Sequence, residues 1–117
     1  MSVINEKQLD QLCELIGGDK ESLFELIETF LEEGREMILE MKTSIETNDL
    51  DTLRRCAHSM KSSSQDFGAV ELSELNAALE AQCKSDWPET ANQQVQVISQ
   101  KFHEASAVLT GYVSRQE

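Results

Sequence analysis

The sequence predicts an all-α protein: an antiparallel up-and-down four-helix bundle with a short additional N-terminal helix. Three observations carry this. Apolar residues recur at helical spacing almost from end to end. Helix breakers are few, with five Gly and one Pro in 117 residues, and aromatics make up only 5%. That leaves too few turn and strand formers for a β sandwich. The helical stretches are long and their connections short, which folds neighbours back on one another.

Taken in order, Asn5 followed by Gln8 reads as a capping-box start. Leu9, Leu12, Cys13 and Ile16 share one face, and Gly17-Gly18 stops this short helix. Asp19 or Ser22 caps the second helix. Its seam is Leu23, Ile27, Phe30, Gly34, Met37 or Ile38, Met41 and Ile45. A Gly inside a helix costs about 1 kcal/mol relative to Ala, so Gly34 predicts a close helix approach. The glutamates Glu25, Glu28, Glu32, Glu33, Glu36 and Glu40 read as a solvated face.

Asn48-Asp49 breaks the pattern, and Asp49 caps a third helix through Thr52. Leu53, Ala57, Met60, Ser64 and Phe67 form its stripe, with Gly68 as the structural stop. A fourth helix begins near Val70, turns Leu72, Leu75, Ala78 and Leu79 inward, and ends near Lys84 or Ser85. Asp86-Trp87-Pro88-Glu89 reads as a cap, an early-turn Pro and a reciprocal Glu. The last helix carries Ala91, Val95, Ile98, Phe102, Ala105, Leu109 and Tyr112.

The length fits a single domain over residues 1–117, large enough to fold without staples. The net charge is 10 − 22 = −12. Such a body repels phosphate backbones and anionic lipid, so nucleic acid and membrane are disfavoured as partners. The polar N-terminus carries no signal-peptide core, and no stretch is apolar enough for a membrane span. Cys13, Cys56 and Cys83 are odd in number and form no CxxC pair, which points to reduced thiols and a cytoplasmic location. A self-sufficient acidic bundle is expected to be a monomer.

The third helix is where chemistry can reside. With Leu53 at 0° and about 100° per residue, the stripe stays within about 40° of it, while His58 falls near 140°. Lys61 lies near 80°, Gln65 near 120° and Ser62 near 180° by the same count. His58 therefore points away from the core, and the residue one turn on is small. Between Asp51 and Asp66 there is no acid, while Arg54, Arg55 and Lys61 are all present. A basic segment in an acidic protein favours a phosphoryl group or an acidic partner surface. From geometry alone, an exposed helical His is more often a solvated side chain than a functional one. His103 is read that way: it has no basic cluster around it.

The run Ala57-His58-Ser59-Met60-Lys61-Ser62-Ser63-Ser64-Gln65-Asp66-Phe67-Gly68-Ala69 resembles the signature of histidine phosphotransfer (HPt) domains, Ala-His-x-Leu-Lys-Gly/Ser with a Gly ten residues after the His. Leu72, Leu75 and Leu79-Glu80 resemble the family's following helix. Ile16-Gly17-Gly18-Asp19, Leu23, Leu26 and Phe30-Leu31 resemble its usual opening. The similarity covers nearly the whole chain, and Lys61-Ser62-Ser63 after the His resembles the form found in free-standing bacterial members. Ser62 stands where Gly is frequent, and Met60 replaces Leu, a volume-conserving change.

The resemblance implies a phosphorelay carrier in which His58 takes a phosphoryl group from a receiver-domain aspartate and passes it, reversibly, to another receiver. The receivers implied are those of a hybrid sensor kinase and of a response regulator. No ATP site or autokinase activity is expected, and no cofactor or metal in this chain, with magnesium on the partner receiver. Physically, a neutral imidazole nitrogen attacks phosphorus. Lys61 stabilises the incoming charge, and Gln65 orients the ring or bonds the phosphoryl oxygens. Arg54, Arg55 and Ser62, with the off-stripe apolar residues Leu39 and Leu15, are the expected partner contacts. Two other classes stay open at this point. One is a non-catalytic helical adaptor that binds receivers. The other is a metal-binding bundle, which would need inward Glu-x-x-His pairs that neither histidine supplies.

Overall fold

A computed structural model describes residues 3–116. It contains five helices: α1 (Glu6–Leu15), α2 (Lys20–Glu46), α3 (Leu50–Asp66), α4 (Val70–Cys83) and α5 (Ala91–Gln116). Helices α2 to α5 form the antiparallel bundle, each packed on the next and α5 closing against α2, while α1 lies against α2 and α3. The body measures 43 × 25 × 20 Å. No helix among the described residues is long and apolar enough to cross a membrane.

The caps form where side-chain chemistry demands them. Asn5 accepts from the Lys7 amide, Asp19 from Glu21, and Asp49 from Thr52. Ser22 is no cap of its own; its hydroxyl donates to Asp19 at 2.8 Å. The capping box at Asn5 does not close through Gln8. The Asn5 amide donates instead to the Gly68 carbonyl at 2.8 Å, pinning the entry of α1 to the α3–α4 turn. Gly68 is fixed twice over: its φ is +79°, and an added Cβ would lie 2.5 Å from the Asn5 carbonyl oxygen.

The seam of α2 runs Leu23, Ile27, Phe30, Gly34, Ile38 and Met41, then Ser44 rather than Ile45. Ser44 can be buried because its hydroxyl donates to the Met41 carbonyl. At Gly34 a Cβ would collide with the Phe102 ring, so α2 and α5 approach closely there as expected. Phe30 stacks on Phe67 and meets Phe102 edge-on, joining α2, the α3–α4 turn and α5 in one core.

Two further expectations are corrected. Helix α5 starts at Ala91, because Pro88 sits in the preceding loop and Asp86 accepts only from the adjacent Trp87 amide. The inward face of α4 holds the expected Leu72 and Leu79 but otherwise differs from the expectation. It is Leu72, Ser73, Asn76, Leu79, Glu80 and Cys83, with Leu75 half-buried and Ala78 exposed. Polar residues occupy the side of α4 that meets α3, so an apolar stripe alone misplaces the helix.

Candidate functional site

The Asp49 cap and the Gly68 turn fix the two ends of α3. Its buried stripe of Leu53, Cys56, Ala57, Met60 and Ser64 sets the rotation. His58 then stands on the outer side of α3, beside α4, with its side chain 63% exposed. Across the interface stands Glu80, whose side chain is only 9% exposed. Glu80 Oε2 lies 2.7 Å from His58 Nδ1, and Glu80 Oε1 accepts from Lys61 Nζ at 2.6 Å. One buried carboxylate thus holds both the imidazole and the ammonium. The Ser73 hydroxyl, donating to the Lys61 carbonyl at 2.8 Å, ties α4 to α3 one turn further on.

The electrostatics assign a tautomer. The Lys61 hydrogen bond above all, and the His58 hydrogen bond after it, hold the Glu80 carboxyl below its usual range against the opposing effect of burial. The ionised carboxylate only accepts, so the proton between the two groups belongs to His58 Nδ1. In the neutral imidazole the lone pair then sits on Nε2, on a ring whose side chain is largely exposed. Such a nitrogen can act as a nucleophile, and the Glu80 contact holds its ring in one orientation.

Arg54, Arg55, His58, Ser59 and Glu80 line a shallow depression beside the ring. Its arginines are not free cations: Arg54 meets Asp51 at 2.6 Å, and Arg55 reaches Asp51 at 3.6 Å and Thr52 at 3.2 Å. These pairs are exposed and worth at most about 1 kcal/mol, so an acidic partner can exchange for Asp51. Ser62 is exposed one turn beyond His58, leaving the approach open on that side.

Gln65 does not orient the ring; Glu80 does. Gln65 lies two turns along α3 and lines a groove with Gln8, Gln11, Leu12, Leu15 and Asp66. Leu15 is 83% exposed at the rim of that groove, on the α1–α3 side of the bundle. Leu39 is not brought near His58. It lines a groove between α2 and α5 with His103, on the face opposite the α3–α4 edge.

The residue that sequence reasoning missed as a site member is Glu80. A signal existed: in an antiparallel hairpin turning at Ala69, His58 and Glu80 are equally far from the turn and face each other. Among the described residues no three His, Cys, Asp or Glu side chains gather into a metal-holding group. All three cysteines are buried and unpaired. Burial, reinforced by the hydrogen bond to Glu40, pushes the Cys56 thiol up to about 12, which keeps it protonated and inert.

Known proteins resemble this chain in sequence and in fold. The family model described as "Hpt domain" matches residues 25–109. The phosphorelay intermediate protein rdeA of Dictyostelium discoideum is 28% identical over 108 residues, covering 91% of this chain and 42% of that protein. The chain therefore spans well under half the length of the curated relative it matches. Histidine-containing phosphotransfer protein B (HptB) of Pseudomonas aeruginosa PAO1 superposes with a TM-score of 0.89 at 21% identity, over 97% of this chain and 96% of that one. The HPT domain of a sensor hybrid histidine kinase from Shewanella gives 0.77 at 16% identity, over 97% and 95%. At these identities the two structures establish the shared fold.

Proposed function

The chain belongs to the Hpt domain family, and from that premise we propose that it is a phosphorelay intermediate with His58 as its phosphoryl acceptor. The observation that supports this most is the held imidazole: Nδ1 lies 2.7 Å from Glu80 Oε2, on a side chain that is 63% exposed. The donor is the aspartyl phosphate of one receiver domain, and the acceptor is the aspartate of another. One receiver belongs to a hybrid sensor kinase and the other to a response regulator. A carrier between them works in the cytoplasm as a single bundle, a monomer.

Nε2 attacks the phosphorus in line. The N–P bond forms as the P–O bond to the aspartate breaks, and the carboxylate leaves with the bonding pair. Positive charge develops on the ring, and its Nδ1 proton already rests against the Glu80 carboxylate, where that charge is stabilised without reorganisation. Lys61, with three donors and one spent on Glu80, has donors left for a phosphoryl oxygen. Reversal of the same step hands the group to the second receiver. Magnesium is expected on the receiver, and this chain's contribution is positioning.

Arg54, Arg55 and Ser62 surround the approach to Nε2, and Leu15 with Gln65 extends the docking face toward α1. The exposed area needed is modest, as suits a transient complex. The test is transfer of label from a panel of phosphorylated receiver domains to the wild type and to His58→Gln, side by side. Acid-labile label on the wild type alone supports the carrier. Binding of receivers with no label on either protein would leave a non-catalytic adaptor.

A further inference from the structure

The groove between α2 and α5 is lined by Arg35, Ile38, Leu39, Ser99, Phe102, His103 and Ser106. Its floor is apolar: Ile38 and Phe102 are buried, and Leu39 stands 64% exposed at the rim. The Ser106 hydroxyl is already spent on the Phe102 carbonyl at 2.8 Å. The side chains of Arg35 and His103 enter no hydrogen bond or ion pair among the described residues, although Glu32, Glu33 and Glu36 lie within a turn of Arg35 along the chain. No acid lines the groove, in a protein of net charge −12. An exposed leucine over an apolar floor, edged by an unpaired guanidinium, calls for an occupant that is apolar and anionic.

We propose that this groove docks an amphipathic helix of a partner protein, one that presents two apolar side chains a turn apart beside a carboxylate. The lining residues span about two helical turns, roughly 10 Å along the bundle, which suits anchors at i and i+3 or i+4. The carboxylate pairs with Arg35. The apolar anchors cover Leu39 and reach the Ile38–Phe102 floor between Ser99 and His103. Because the groove lies opposite the α3–α4 edge, a helix seated there leaves His58 open to a receiver. The protein can then be held by one partner while it exchanges phosphate with another.

The probe is a synthetic 18-residue helical peptide with two leucines four residues apart flanked by glutamates, and a control with lysines in place of the glutamates. Each is titrated into the 15N-labelled full chain and followed by NMR. The expected result is saturable shifts at Arg35, Leu39, Ser99 and His103, with the acidic peptide binding about tenfold tighter than the basic one. Arg35→Glu should reverse that preference, while label transfer to His58 in this variant stays at the wild-type rate with or without peptide. Four outcomes would overturn the proposal: no saturable shifts, equal binding of both peptides, shifts centred on α1 or His58, or a dimer in sedimentation that Arg35→Glu disperses. The last would make a second copy of the chain the occupant.

Discussion

Replacing Glu80 by Ala removes the acceptor of two charge-assisted hydrogen bonds, at 2.7 Å to His58 and 2.6 Å to Lys61. A hydrogen bond to a charged group is worth about 1.5–3 kcal/mol. His58 is 63% exposed, so water competes and the lower end applies. Losing about 1.5 kcal/mol of preference for the Nδ1–H tautomer and its rotamer lowers the reactive population roughly tenfold. Glu80→Ala should therefore accept phosphoryl from a receiver about tenfold more slowly, with near-native helicity. Glu80→Gln keeps an oxygen that accepts from Nδ1–H but loses the charge, so its loss should be smaller, about threefold. A quenched time course of acid-labile label measures the rates, and 15N NMR of the imidazole reads the tautomer directly. Wild-type rates in Glu80→Ala, with the Nδ1–H tautomer lost, would refute the reasoning, because ring orientation would then not matter.

The same carboxylate sets a pH dependence. Its folded value is depressed below the usual 4.5, first by Lys61 and then by His58. The folded state thus prefers the ionised form. Its contribution is fully present above the ordinary value and is lost as pH falls through the lowered one. Urea midpoints of wild type and Glu80→Gln should accordingly converge as the pH drops from about 6 to about 3. A gap that widens on acidification would reverse the sign and remove Glu80 from the account.

Lys61→Ala should slow transfer and shorten the phosphohistidine lifetime, and it should also raise the acid midpoint by releasing Glu80; unchanged kinetics and lifetime would reduce Lys61 to a counter-ion of Glu80. Ser62→Arg places a long side chain one turn from the ring and should block receiver docking; an unaltered transfer rate would mean that the receiver approaches from another side. Gly68→Ala puts a Cβ against the Asn5 carbonyl at a φ of +79° and should cost about 1–3 kcal/mol in urea denaturation, loosening α1 first.

What the sequence revealed was the part written in local chemistry. Asn5, Asp19 and Asp49 cap helices because short oxygen side chains reach free amides, and that can be read one residue at a time. Gly34 announced a close approach, and Phe102 is what approaches. The start of α5 was misplaced because Asp86 and Pro88 have the composition of a helix start while the backbone there closes on itself. The face of α4 was misread because burial was equated with apolarity. Ser73 and Glu80 are buried with hydrogen-bond partners on α3, and Asn76 with its amide donating to the Leu72 carbonyl of its own helix while its Oδ1 has no partner among the described residues.

The site divided along the same line. His58, Lys61 and Ser62 share one helix, so their mutual placement follows from helical geometry. Glu80 joins them only through tertiary packing across α3 and α4. The charge of Arg54 and Arg55 was legible, but their engagement by Asp51 at the helix start was not. Leu39 was judged by exposure alone, and only the bundle's arrangement shows that it faces away from His58.

The most direct measurement is to phosphorylate the protein from a receiver domain and locate the group on the ring by NMR of the intact phosphoprotein. The Glu80–Nδ1 hydrogen bond predicts a phosphoryl group on His58 Nε2, with the Nδ1 proton retained. A phosphoryl group on Nδ1, or on any residue other than His58, would contradict the central claim.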